Sequence, residues 1–148
     1  MGVTVEIQDS QVRVMLAAIA TNTRKISERS SDYVGLLSAI VFRDLIHHFE
    51  QQQGPDGKWQ RWSDGYRNKL IKKGKGGNLI LQDTGRLKGG WQPTRYRLSR
   101  EGVLWYNPVE YGEKHQRGQG VPKRQFAWIS DRAVDSMVDQ THKFLGFD

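Results

Sequence analysis

Between Tyr33 and Gln51 the apolar residues Val34, Leu37, Val41, Leu45 and Phe49 recur every three or four positions, with Phe42 and Ile46 beside them. This spacing follows the 3.6-residue turn of an α-helix and gathers them on one stripe, opposite Arg43, His47 and Glu50. A helix with so wide an apolar face needs other elements to cover it, so the remaining chain must supply a packed layer. Asp32 is expected to cap this helix after a short polar connection over residues 27–32. Gly54-Pro55-Asp56-Gly57 is expected to end it by forcing a turn.

The covering elements can be read on either side. Val3-Thr4-Val5-Glu6-Ile7-Gln8 alternates β-branched and polar residues, the pattern of a first strand. From Ser10 to about Ile26, Val12, Met15, Leu16, Ile19 and Ile26 share a helical stripe that Asp9 or Ser10 can cap. Ser63 opens a short basic helix through Lys73, and Gly74-Lys75-Gly76-Gly77 reads as a flexible loop tip. Trp91 to Leu98 and Val103 to Tyr106 flank Arg100-Glu101-Gly102, which predicts a β-hairpin. Val121 to Trp128 reads as a strand entered through Pro122. Ser130 then caps a last helix, whose inner stripe is Ile129, Ala133, Met137 and Phe144. Asp131 and Lys143 suit the two ends of its dipole, and Gly146 stops it. The expected fold is α+β: a small antiparallel β-sheet packed with N-terminal and C-terminal amphipathic helices, with extended loops. No repeat or long linker divides the chain, so residues 1–148 are read as a single domain.

Composition narrows the chemistry. With no cysteine, disulfides, thiolate metal sites and nucleophilic cysteines are excluded. No basic leader followed by an apolar stretch precedes the first strand, and no run approaches the ~18 apolar residues of a membrane span. The expectation is a soluble chain without an export signal. His47 and His48 point about 100° apart on a helix and cannot easily share an ion; His48 falls on the apolar face as a hydrogen-bonded core residue. His115 and His142 lack a nearby ligand set. Asp64 and Asp83 sit among cations, and no paired carboxylates, nucleophile elbow, phosphate loop or dinucleotide fingerprint occurs. No enzyme activity, metal or cofactor is therefore expected.

Charge is concentrated. Residues 58–100 hold 12 Lys and Arg against 2 Asp and Glu, while the flanking segments are slightly acidic, and the chain as a whole carries +7. Lys58, Arg61, Arg67, Lys69, Lys72, Lys73 and Lys75 interleave with Trp59, Trp62 and Tyr66, a composition able to meet phosphates and stack on bases. Equally, the aromatics can be core and the lysines a solvated face, and such a basic surface also steers acidic protein partners.

Four separated motifs say more together than any one alone. They are Gly57-Lys58-Trp59-Gln60-Arg61-Trp62-Ser63, Leu81-Gln82-Asp83-Thr84-Gly85-Arg86-Leu87, Tyr111-Gly112-Glu113-Lys114-His115-Gln116-Arg117-Gly118 and Val121-Pro122-Lys123-Arg124-Gln125-Phe126. In this order and spacing the chain resembles the phage virion morphogenesis family, the tail-completion group of Mu-like and related phages. The resemblance covers roughly residues 50–130, with departures at Arg61, Gly112 and Arg117. It implies a non-enzymatic virion protein of the tail and neck, assembled in the host cytoplasm, that completes the tail and helps join it to the head. The implied partners are copies of itself in a ring, expected as a homohexamer, the tail tube protein, and a head–tail connector or stopper protein, with genomic DNA in the channel and no membrane. A stand-alone nucleic-acid-binding protein using residues 58–100 is the alternative.

The motif residues carried over are Gly57, Trp59, Ser63, Leu81, Asp83, Thr84, Gly85, Leu87, Tyr111, His115, Gln116, Gly118, Pro122, Arg124 and Phe126. Their expected work is structural. Leu81 and Leu87 anchor a corner in the core, Asp83 or Thr84 caps the following turn, Asp83 pairs with Arg86, and Gly85 takes a backbone angle costly to other residues. Pro122 keeps its segment extended, Arg124 forks onto a carboxylate or carbonyls, and Phe126 enters the core. Lys69, Lys72, Lys73, Lys75, Arg86 and Lys88 are the candidate contacts to DNA or a partner. Loops at 51–62, 74–80 and 112–121 are expected to reach neighbouring subunits.

Overall fold

The stripe of residues 33–51 is one side of a helix that begins earlier than its pattern predicts. In the computed structural model, which describes residues 3–6, 24–99 and 102–145 and side chains from Ser30 onward, helix α1 runs Arg24–Gln51. Residues 27–32 are thus helical rather than a connection, and exposed Asp32 lies within the helix instead of capping it. The physical reason is that Ser-Glu-Arg-Ser-Ser-Asp contains neither glycine nor proline, so polarity alone does not stop the ladder. The helix expected over Ser10–Ile26 lies mostly outside the described residues, as do Ile7, Gln8, Arg100, Glu101 and Gly146.

Along α1, Tyr33, Val34, Leu37, Val41, Leu45 and Phe49 are all buried, and Ser38 and His48 are buried between them. Each such apolar side chain removed from water stabilises the fold by about 1.5–3 kcal/mol. The helix ends where Gln52 adopts φ 50, and the turn expected at residues 54–57 follows as a hairpin. Strands β2 (Gln53–Gly54) and β3 (Gly57–Lys58) pair antiparallel, Gln53 opposite Lys58 and Gly54 opposite Gly57.

The remaining described elements are α2 (Asp64–Lys72), α3 (Arg86–Gly89), β4 (Tyr96–Ser99), β5 (Gly102–Asn107), α4 (Gly112–Arg117) and α5 (Asp131–Leu145), with β1 at Val3–Glu6. Among the described residues, two small antiparallel sheets and five helices make this an α+β fold, as the patterning predicts. The described chain divides into two compact units, each built from separated segments, and α1 contributes to one up to Asp44 and to the other from Leu45.

The unit holding residues 4–6, 24–44, 92–99, 102–106 and 129–145 contains nearly all of the three-stranded sheet, in the order β1-β5-β4. The predicted hairpin is present, shorter than its pattern: Tyr96 pairs with Trp105 and Ser99 with Gly102, while Trp91 lies outside the strand. Burial alternates along β5, and the buried Trp105 donates its indole N–H to Ser38 Oγ on α1 at 2.9 Å. Ser130 caps α5 as expected, its hydroxyl accepting from Ala133 N at 3.2 Å. Asp44 in turn accepts from Ser130 N at 2.8 Å and from its hydroxyl. On α5, Ala133 and Met137 are buried as predicted, and Thr141 joins them by bonding Tyr33 Oη at 2.6 Å. Burial pushes the Tyr33 phenol above its ordinary value, the Thr141 bond only partly opposing this.

Candidate functional site

All four motifs fall in the other unit, Leu45–Trp91 with Asn107–Trp128. Its centre is aromatic. Phe49 from α1 meets the Trp59 ring edge-on at 5.7 Å and Phe126 at 5.4 Å, and Trp91 meets Phe126 at 6.3 Å. Phe126 is fully buried. Trp59 adds a bond from its indole N–H to Gln125 O at 2.9 Å, tying the first motif to the fourth.

The fourth motif is not the strand its sequence suggests: residues 122–130 form no ladder. The backbone partners come from the third motif instead. Gln116 on α4 accepts from Phe126 N and Ala127 N at 3.0 Å each and donates to Ala127 O at 3.0 Å, doing with one amide what a neighbouring strand would do. Arg124 N donates to His115 O at 2.8 Å, while the Arg124 side chain donates from Nε to Gln60 O at 3.1 Å. The side chain thus reaches a carbonyl of the first motif through one bond, not the two-pronged fork expected of it. Pro122 is exposed, and Gly118 closes α4 with φ 74.

Residues 112–117, expected as part of a loop, form α4, braced by Glu113 and Arg117 at 3.2 Å one turn apart. Tyr111 precedes it, its ring edge-on to His115 at 6.5 Å. The His115 imidazole is pushed below its ordinary value, first by burial and then by the Arg124 charge. Gly57 begins β3, and Ser63 caps α2 by accepting from Tyr66 N at 3.3 Å.

The second motif forms a corner by partly different means from those expected. Leu87 is fully buried, but Leu81 is only half-buried in a left-handed conformation, φ 61, and its neighbour Ile80 enters the core instead. Gly85 takes φ 70 ahead of α3, and Thr84 Oγ1 accepts from Arg86 N at 3.3 Å. Asp83 pairs with Lys75 at 2.7 Å rather than with Arg86, and accepts from Asn78 Nδ2 at 3.0 Å. The hydrogen bond from Lys75 holds the exposed Asp83 carboxyl below its ordinary value. Those bonds, with Lys75 N to Leu70 O at 2.8 Å, also tie down the glycine-rich tip expected to be flexible.

Of the candidate contacts, Lys75 is committed to Asp83, and Lys88 lies 3.5 Å from Glu50. Lys69, Lys72, Lys73 and Arg86 are exposed, the first three on or just after α2. His48 is a core residue, stacked on Trp128 at 4.1 Å with Nε2 at 3.1 Å from the Trp128 carbonyl. No group of metal-binding side chains occurs among the described residues.

Sequence reading missed several corner-builders. Buried Asn107 donates to Leu87 O at 2.8 Å and accepts from Val109 N at 3.1 Å. Gln82 donates to Phe49 O at 2.8 Å, and Gln52 Oε1 accepts from Ile80 N at 3.0 Å. Gly90 lies so close to Asn107 that a Cβ there would stand 2.2 Å from Oδ1. A polar residue ending the apolar run Val103–Tyr106 is the one available signal for Asn107; nothing marks the two glutamines.

The profile of the phage virion morphogenesis family matches residues 7–143. The chain belongs to that family. As a member of this phage virion morphogenesis family it is a structural, virion-associated protein of a bacteriophage. No match is found among curated proteins or among solved structures. No helix of the described residues is long and apolar enough to cross a membrane.

Proposed function

We propose that this chain completes the phage tail and helps join it to the head, as a non-enzymatic component of the neck that assembles into a ring of identical copies around the DNA channel. The carrying observation is that the four ordered motifs converge in one compact unit, where Trp59, Gln116, Arg124 and Phe126 hold backbone and core together. Such a shape-preserving unit suits a protein whose product is an assembly. The tail tube protein and a head–tail connector or stopper protein are its proposed neighbours, and six its proposed copy number.

Deletion of the gene from its phage is expected to leave heads and tails unjoined, counted by negative-stain imaging, with joining restored by the wild-type chain in trans. Normal joined virions from the deletion would end the reading. A stand-alone nucleic-acid-binding role is favoured by the exposed cations of residues 58–86, among them Lys58, Arg61, Arg67, Lys69, Lys72, Lys73 and Arg86. It predicts duplex binding that weakens with salt at a log–log slope of about −0.9 per phosphate contact. No binding at low salt removes it.

A further inference from the structure

Arg124 is 5% exposed, and its side chain makes one hydrogen bond, to the Gln60 carbonyl. No carboxylate pairs with it among the described residues. Burial pushes its guanidinium below its ordinary value, a sign of charge held away from water without an anion to balance it. The groups beside it are also incomplete. His115 Nδ1 is buried without a hydrogen-bond partner among the described residues, and the Tyr66 phenol lies within electrostatic reach of the guanidinium. Tyr66 packs edge-on against Trp62 at 5.8 Å and is 48% exposed, while Tyr111, packed on His115, is 40% exposed. Arg, Tyr and Trp in this state are the residues that dominate binding energy where proteins meet.

The same chain carries the complementary half. On α5, Asp131, Asp135 and Asp139 stand four residues apart on one helix face, all exposed and without a basic partner among the described residues. We propose that Arg124 and its aromatic neighbours receive this acidic row from a second copy of the chain, one aspartate seated on the guanidinium. The exposed Lys69, Lys72 and Lys73 favour the approach by long-range attraction. Because donor and receiver are different surfaces, the contact repeats from copy to copy and can close a ring. The proposal deepens the ring reading above and rests on it.

Sedimentation velocity over a wide concentration range at low salt tests it with Tyr66→Ala and Asp135→Lys, both changes at exposed positions, their folding checked by circular dichroism. The wild type is expected to self-associate in a salt-sensitive way, and each variant alone to do so at least about tenfold more weakly. Mixed one to one, the variants should pair through the remaining intact donor and receiver and stop at dimers. A monomeric wild type, variants that associate normally, or a mixture that stays monomeric would each overturn the proposal. So would loss of duplex DNA binding by Tyr66→Ala with self-association unchanged. Self-association through some other surface ends this inference but leaves the proposed function standing, whereas joined virions from the deletion phage end that function and leave the contact standing.

Discussion

At the scale of single residues, Phe126 carries the most weight in the motif unit. It is fully buried between Phe49 and Trp91, so Phe126→Ala removes both ring contacts and leaves a cavity. The expected loss is about 3–5 kcal/mol, read by denaturant unfolding; an unchanged midpoint would contradict the packing. Two glycines act differently. Gly85 has open space around it, so Gly85→Ala costs only the left-handed backbone, about 1–2 kcal/mol. At Gly90 the backbone is ordinary, φ −66, and the obstacle is Asn107. Gly90→Ala must displace a side chain that satisfies two buried backbone groups, and Asn107→Gly in the same chain should recover part of the loss. Gly85 is legible in sequence because a glycine after Asp-Thr marks a turn; Gly90 is not, because its partner lies 17 positions away and the contact exists only once β5 ends beside α3.

Elements were legible where one physical signal dominated. The stripe of α1, the Ser63 and Ser130 caps and the β4–β5 hairpin all follow from local periodicity or capping chemistry. Residues 121–128 mislead because a stretch entered through Pro122 resembles a strand, whereas the partner supplied is the Gln116 amide, which no local pattern announces. Likewise, a polar stretch does not end α1 where helix-permissive residues continue. Gln116→Ala should therefore destabilise the whole motif unit, by roughly 1–3 kcal/mol for each backbone N–H it leaves buried and unpaired, measured as a lower unfolding midpoint. Gln116→Glu, which keeps the acceptor oxygen and loses the donor, should cost less. Helix α4 also carries a pH dependence. His115 has a folded-state value below its ordinary one, so the unfolded chain binds the proton more readily, and stability falls as pH drops through about 6.5 toward the folded value. His115→Asn should lose less stability than the wild type between neutral and mildly acidic pH. An identical pH profile for the two would refute this assignment.

At the scale of the whole molecule, two cations of the charge excess of residues 58–100 are tied to acids, and seven, from Lys58 to Arg86, are exposed. Lys75 and Lys88 are held by Asp83 and Glu50, while Lys69, Lys72 and Lys73 stay exposed. What the sequence could convey of function lay in the order of four motifs, and folding explains that order by bringing them into one unit. Why a buried arginine should lie there without an acid could not be read from the chain, since burial and charge pairing are properties of the folded state. The acidic row of α5 offers that arginine a partner on another copy. The proposed place of this chain in the neck is decided by a side-chain-resolution reconstruction of the intact virion neck. The expected result is a ring of this chain between tail tube and head connector, with an aspartate of one copy on Arg124 of the next. A complete neck in which the chain has no place would contradict it.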